Sequence, residues 1–184
     1  LSNAFKVEFI FDETLGNQGR DEILGKITFD PLKIYITKEL QLNKYRWRFT
    51  LAHEVGHLIL HQNTLKNYVT ENIDIAEMLS LSGKFSSYTN KYLEMQANKF
   101  ASILLLPKIA FLREVQRFFV KENIRKGFIY LDHQQVNQKL LFDLLIVLKA
   151  KFDVSKEVAR YRLYSFGLIQ NNDMKSVKEI LKKI

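Results

Sequence analysis

Polar and apolar residues alternate at the start of the chain, where Phe5, Val7, Phe9 and Phe11 stand against Lys6 and Glu8. A period of two predicts a strand with one buried face. Two more short runs, KITFD (26–30) and KIYIT (33–37), are rich in β-branched and aromatic residues. Gly25 precedes the first and Asp30-Pro31 separates them, so the three runs predict a small, mostly antiparallel sheet. After ELQLNKYRW the period lengthens, with Ala52, Val55 and Ile59 on one side of a predicted helix and Leu51 and Leu58 flanking it. From Gln62 to Tyr92 the composition shifts toward Ser, Asn and Thr around a short helical pattern, IDIAEMLSL, which suits either a lid or a tolerated insertion. Helical periodicity returns at YLEMQANKFASILLL and stops at Pro107. It resumes through IAFLREVQRFFVKEN and again from Gln134 to Lys151. The expected fold is therefore α+β, a small sheet packed on a helix in residues 1–107 followed by a mainly helical region in residues 108–184.

Composition narrows the chemistry. The 184 residues, 47% hydrophobic, suffice for one sizeable domain with an appendage. With no cysteine, thiolate ligands and disulfides are excluded, and a transition-metal site must use imidazole and carboxylate. No apolar run reaches the roughly 18 residues of a membrane span and the first residues lack a signal-peptide pattern, so a cytoplasmic address without membrane contact is expected. Residues 1–107 hold 12 basic and 12 acidic side chains, residues 108–184 hold 16 and 8, so the formal charge of +8 belongs to the second part. Such a surface favours nucleic acid or an acidic protein as neighbour, or is simply a solvated exterior.

Three of the four histidines fall in RFTLAHEVGHLILHQ. His53-Glu54-Val55-Gly56-His57 places two imidazoles four residues apart, one above the other on a helix, where both reach one metal ion. Glu54 projects beside that face, where its carboxylate can hold a water molecule and take its proton during attack on a carbonyl. Because H-E-x-x-H also arises by chance, a third ligand is decisive. One known arrangement needs Gly at 60 and His at 63, but Leu60 and Asn63 stand there, which leaves His61 a supporting role. Glu94, 37 residues after His57, is the better candidate, completing a two-His-one-Glu set with a position open for water. Asn98, one turn later, is spaced to hydrogen-bond a ligand imidazole. Zinc suits this set, although manganese or iron could occupy it. Tyr88, Tyr92 and His133 are candidate oxyanion donors with nothing to choose among them.

RFTLAHEVGHLILH followed by EMQANKFASILLLP resembles the ImmA/IrrE family of zinc metallopeptidases, whose pattern runs R-F-T-x-A-H-E-x-G-H…L-H and then E-x-x-A-N-x-F-A-x-x-L-L-x-P. The likeness extends upstream through GKITFDPLKIYI and downstream to KAKFDVSKEVARYRLYSFGLI, which is similar to the family's C-terminal helix-turn-helix-like segment. The resemblance implies a gluzincin-like core in which His53, His57 and Glu94 bind zinc and Glu54 is the catalytic base. It also implies a bacterial regulatory role, the cleavage of a partner helix-turn-helix repressor that controls mobile-element or stress genes.

A different class of function competes with hydrolysis. In FDVSKEVARYRLYSFGLI a helix ends near Phe152, Ser155 is placed to cap the next, and Lys156, Arg160 and Arg162 lie on it, where they could contact DNA or a partner. The bland alternative is packing, with Leu163, Phe166 and Leu168 in the core. A further alternative is a toxin–antitoxin-like component whose zinc fold is mainly a partner-binding scaffold. KIYIT is also a candidate edge strand for an extended substrate.

Overall fold

A computed structural model describes residues 6–11, 13–18, 21–69, 87–132 and 134–171. By compactness the chain divides into residues 1–101 and 102–184. The architecture is α+β, with a small mixed sheet and five α-helices among the described residues. None of these helices is long and apolar enough to cross a membrane.

The first unit is built on three strands, β1 (Glu8–Ile10), β4 (Gly25–Phe29) and β5 (Leu32–Ile36), in the order β1-β5-β4. A two-residue pair, β2 (Asn17–Gln18) with β3 (Asp21–Glu22), lies between β1 and β4 in the chain. The turn at Asp30-Pro31 sets β4 against β5 in antiparallel register, Ile27 opposite Ile34, whereas β1 joins β5 in parallel with Glu8 opposite Lys33. That pair carries an ion pair at 2.9 Å on the solvent face. KIYIT is thus the central strand. The edges beside it are β1 and β4, so a substrate strand has no free edge on β5.

Ile27, Phe29, Ile34 and Ile36 supply the sheet's buried face. Helix α1 (Lys44–Val69) follows a 3-10 turn (Lys38–Leu42) and packs on β4 and β5. Asn43 Oδ1 accepts from the Arg46 amide at its start, satisfying a donor that the helix cannot. Ala52, Val55 and Leu58 are buried, each large apolar burial contributing roughly 2 kcal/mol. Ile59, expected on the inner face, is instead exposed, because the buried arc of α1 is shared with a polar stripe of Thr50, Glu54, His57 and His61. The helix also runs seven residues past Gln62; the expected short helix around 73–81 lies outside the described residues. Helix α2 (Ser87–Leu105) closes the unit, with Leu93 and Ala97 buried.

In the second unit, α3 (Lys108–Lys121) buries Phe111, Val115, Phe118 and Phe119, and α4 (Gln135–Phe152) buries Leu141, Leu144, Leu145 and Leu148. Asp153, in the left-handed region, ends α4, and Ser155 Oγ accepts from Val158 N to begin α5 (Lys156–Ser165). Two strands that periodicity does not announce, β6 (Ile129–Leu131) and β7 (Ile169–Asn171), pair in parallel.

Candidate metal centre

The polar stripe of α1 meets α2 at one cluster. Gly56 makes this approach close: a Cβ there would lie 3.2 Å from Ala97 Cα and 3.1 Å from Phe100 Cδ1. Glycine in mid-helix costs about 1 kcal/mol relative to alanine, and here it lets the backbones of α1 and α2 draw together. Glu94, on α2, thereby reaches both histidines of α1. Its Oε2 is 3.1 Å from His53 Nε2, its Oε1 is 3.3 Å from His57 Nε2, and the two Nε2 atoms are 3.0 Å apart.

These separations fit a metal site. With zinc–nitrogen bonds of 2.0–2.1 Å, neighbouring ligand atoms of a tetrahedron are about 3.3 Å apart. His53, His57 and Glu94 are the His/Asp/Glu set among the described residues whose donor atoms converge in this way. The supporting hydrogen bonds agree with that chemistry. Asn98 Oδ1 lies 3.0 Å from His53 Nδ1, so it accepts the ring's N–H and leaves the Nε2 lone pair facing the cluster. On the other ring, His57 Nδ1 meets His61 Nδ1 at 3.0 Å, and His61 Nε2 meets Gln96 Oε1 at 2.8 Å. Two lone pairs and a carboxylate facing one another at such distances repel unless a cation sits among them.

With no cation among them, the negative charges around the rings favour a proton in its place. Burial alone disfavours a charged His53, but the Glu94 hydrogen bond and the negative charges of Glu54 and Glu94 outweigh it and raise its pKa. Glu94 is also penalised by burial, yet the neighbouring His53 and His57 hold its carboxyl far below the usual carboxylate range. His61 is shifted down, chiefly by burial, and so favours the neutral ring.

Glu54 takes no part in the ligand triangle. Its carboxylate is buried against the start of β4, where a Cβ on Gly25 would fall 2.7 Å from Oε1. Burial, helped by the negative Glu94 and opposed by His53 and His57, raises its pKa. A carboxylate with raised proton affinity beside such a set of candidate ligands is suited to accept a proton. Exposure grows across the site, with side chains of His57, His53 and Glu94 at 4%, 16% and 40%, so the cluster opens to solvent on the Glu94 side.

Tyr92 is exposed on α2, while the side chains of Tyr88 and His133 lie outside the described residues. In the second unit Lys156 is half-buried, its Nζ 4.1 Å from the Phe142 ring centroid, and Arg160 is exposed. Arg162 does not stand on a displayed surface. It is buried, its guanidinium 4.6 Å from the Phe166 ring centroid, because its position on α5 faces the unit's interior alongside Leu163. Gln96 was not singled out by spacing, since an amide gives no local signal of the ring it will meet.

Two comparisons bear on this arrangement. The family model described as IrrE N-terminal-like domain, Peptidase_M78, matches residues 24–164, which include every residue of the cluster. No curated protein matches the chain.

Proposed function

Because the chain belongs to the IrrE N-terminal-like peptidase family, we propose that it is a zinc-dependent endopeptidase in which His53, His57 and Glu94 hold the ion and Glu54 is the general base. The observation that carries this reading is the convergence of the three donor atoms within 3.0–3.3 Å of one another beside a buried carboxylate. When bound, zinc supplies Lewis-acid polarisation of a carbonyl and lowers the pKa of water toward about 7; manganese or iron would suit the same donors.

The chain's own residues do the rest. Glu54 takes the proton of the attacking water and later delivers it to the leaving amine. His53, held by Asn98, and His57, held by His61, would present their Nε2 lone pairs to the ion. The open Glu94 side admits substrate. Gly25, at the first position of β4, brings the sheet edge against Glu54, so an extended peptide pairing with β4 would pass its carbonyl over the base.

The substrate we propose is a helix-turn-helix repressor, as the likeness to ImmA/IrrE proteins suggests, cleaved to relieve repression in a mobile-element or stress response. Docking would draw on the basic second half, either through an acidic surface of the repressor or through shared DNA. The α4–turn–α5 pair is the region for such contacts, with Arg160 and Lys156 as the groups to test.

The test is proteolysis by the zinc-loaded chain of a peptide library and of candidate helix-turn-helix repressors, read by mass spectrometry, with Glu54→Gln as control. Cleavage that disappears in Glu54→Gln while zinc content stays unchanged supports the reading. Equal cleavage by both overturns the assigned mechanism, and a scaffold function unchanged by Glu54→Gln would favour the partner-binding alternative.

A further inference from the structure

We infer that Gln96 and His61 form a positioning relay that fixes the single proton of His57 on Nδ1 and so aims its Nε2 lone pair into the ligand cluster. The inference rests on the metal-site reading above for the purpose of the relay, but its geometry is independent of it.

The chain of contacts runs inward from α2. Gln96 Oε1 lies 2.8 Å from His61 Nε2. An amide oxygen only accepts, so His61 Nε2 carries the proton and donates. A neutral imidazole has one N–H, which leaves His61 Nδ1 a lone pair. His57 Nδ1, 3.0 Å away, therefore donates to it. The one proton of His57 is then used outside the cluster, and its Nε2 faces Glu94 Oε1 and His53 Nε2 unprotonated.

The opposite order fails at the cluster. Were the Gln96 amide reversed, its NH2 would donate to His61 Nε2, His61 would carry its proton on Nδ1, and His57 would accept there. The His57 proton would then sit on Nε2, pointing at the position a metal would take. A single amide orientation, two residues from Glu94 in sequence, thus selects whether this histidine is a ligand. His57 and His61 are both 3% exposed, so solvent is poorly placed to replace a missing partner. Asn98 acts directly on His53, whereas Gln96 acts on His57 only through a second ring.

Two readouts separate a relay from general packing. Zinc affinity of the full chain is measured by competition with a chromophoric chelator, and long-range proton–nitrogen NMR correlations on histidine-labelled protein locate the ring protons, with and without zinc. Wild type is expected to show the proton on Nδ1 of His57 and on Nε2 of His61. Gln96→Leu and His61→Phe should weaken zinc binding about 10- to 100-fold with unchanged far-UV circular dichroism. Gln96→Glu keeps an acceptor and no donor, so it should retain both the proton pattern and most of the affinity. The relay is overturned if Gln96→Leu binds zinc as tightly as wild type, or if wild-type His61 carries its proton on Nδ1. A wild type that binds no zinc would overturn the metal-site reading instead, and the proton positions in the metal-free chain would still decide the relay.

Discussion

Gly56 and Ala97 set the approach of the two helices that carry the cluster: a Cβ at Gly56 would come within 3.3 Å of the Ala97 carbonyl oxygen as well as 3.2 Å of its Cα. Gly56→Ala gains about 1 kcal/mol of helix propensity. Against this, overpacking costs typically ~1–3 kcal/mol, and beside the Phe100 ring the atoms met are Ala97 backbone, which moves only with α2. The expected balance is a net loss of stability in urea unfolding, with weaker zinc binding because Glu94 shifts with its helix. Unchanged affinity would show that Glu94 reaches the histidines without this contact.

Gly25 holds the same relation to Glu54. A methyl there meets Glu54 Oε1 and Thr50 Cγ2, both at 2.7 Å, so Glu54 must move. Gly25→Ala is expected to lower kcat on the order of 100-fold while zinc affinity changes little, since misplacing a reacting group by about 1 Å carries that penalty. Peptide hydrolysis and zinc titration of the same preparation check it.

Asn98 accepts from the His53 ring nitrogen that faces away from the cluster. Asn98→Ala is expected to weaken zinc binding about 10- to 100-fold, and Asn98→Asp, which keeps the acceptor, to restore it. Chelator competition measures both.

Arg162 and Arg160 differ in what they support, although they sit two residues apart. Arg162→Ala removes a buried side chain stacked near Phe166 and should cost about 1–2 kcal/mol in denaturant unfolding. Arg160→Ala, at an exposed position, should stay within about 0.5 kcal/mol. If duplex DNA is bound, Arg160 rather than Arg162 should carry the salt-dependent contact.

Much of the site was legible in the chain because its spacing is local. His53, Glu54 and His57 share one helical turn, and Glu94 and Asn98 share another, so each set follows from the helical period. What spacing leaves open is how the two helices meet. Gln96 became visible only when α2 crossed α1, and Ile59 exchanged places with the polar stripe for the same reason. The α+β class followed from periods of two and 3.6 residues, yet β6 and β7 did not. Three residues each, 40 positions apart in register, they take their pairing from distant contacts and carry no alternation of their own. The central place of β5 was equally hidden, since β1 joins it across the intervening β2, β3 and β4.

Zinc titration of wild type and Glu94→Ala tests the central claim most directly. Wild type should bind one ion per chain, and Glu94→Ala, left with two imidazoles, should bind far more weakly while keeping its circular dichroism. A wild type that takes up no metal, or a Glu94→Ala variant that binds zinc as tightly as wild type, would contradict the assignment of His53, His57 and Glu94 as the metal ligands.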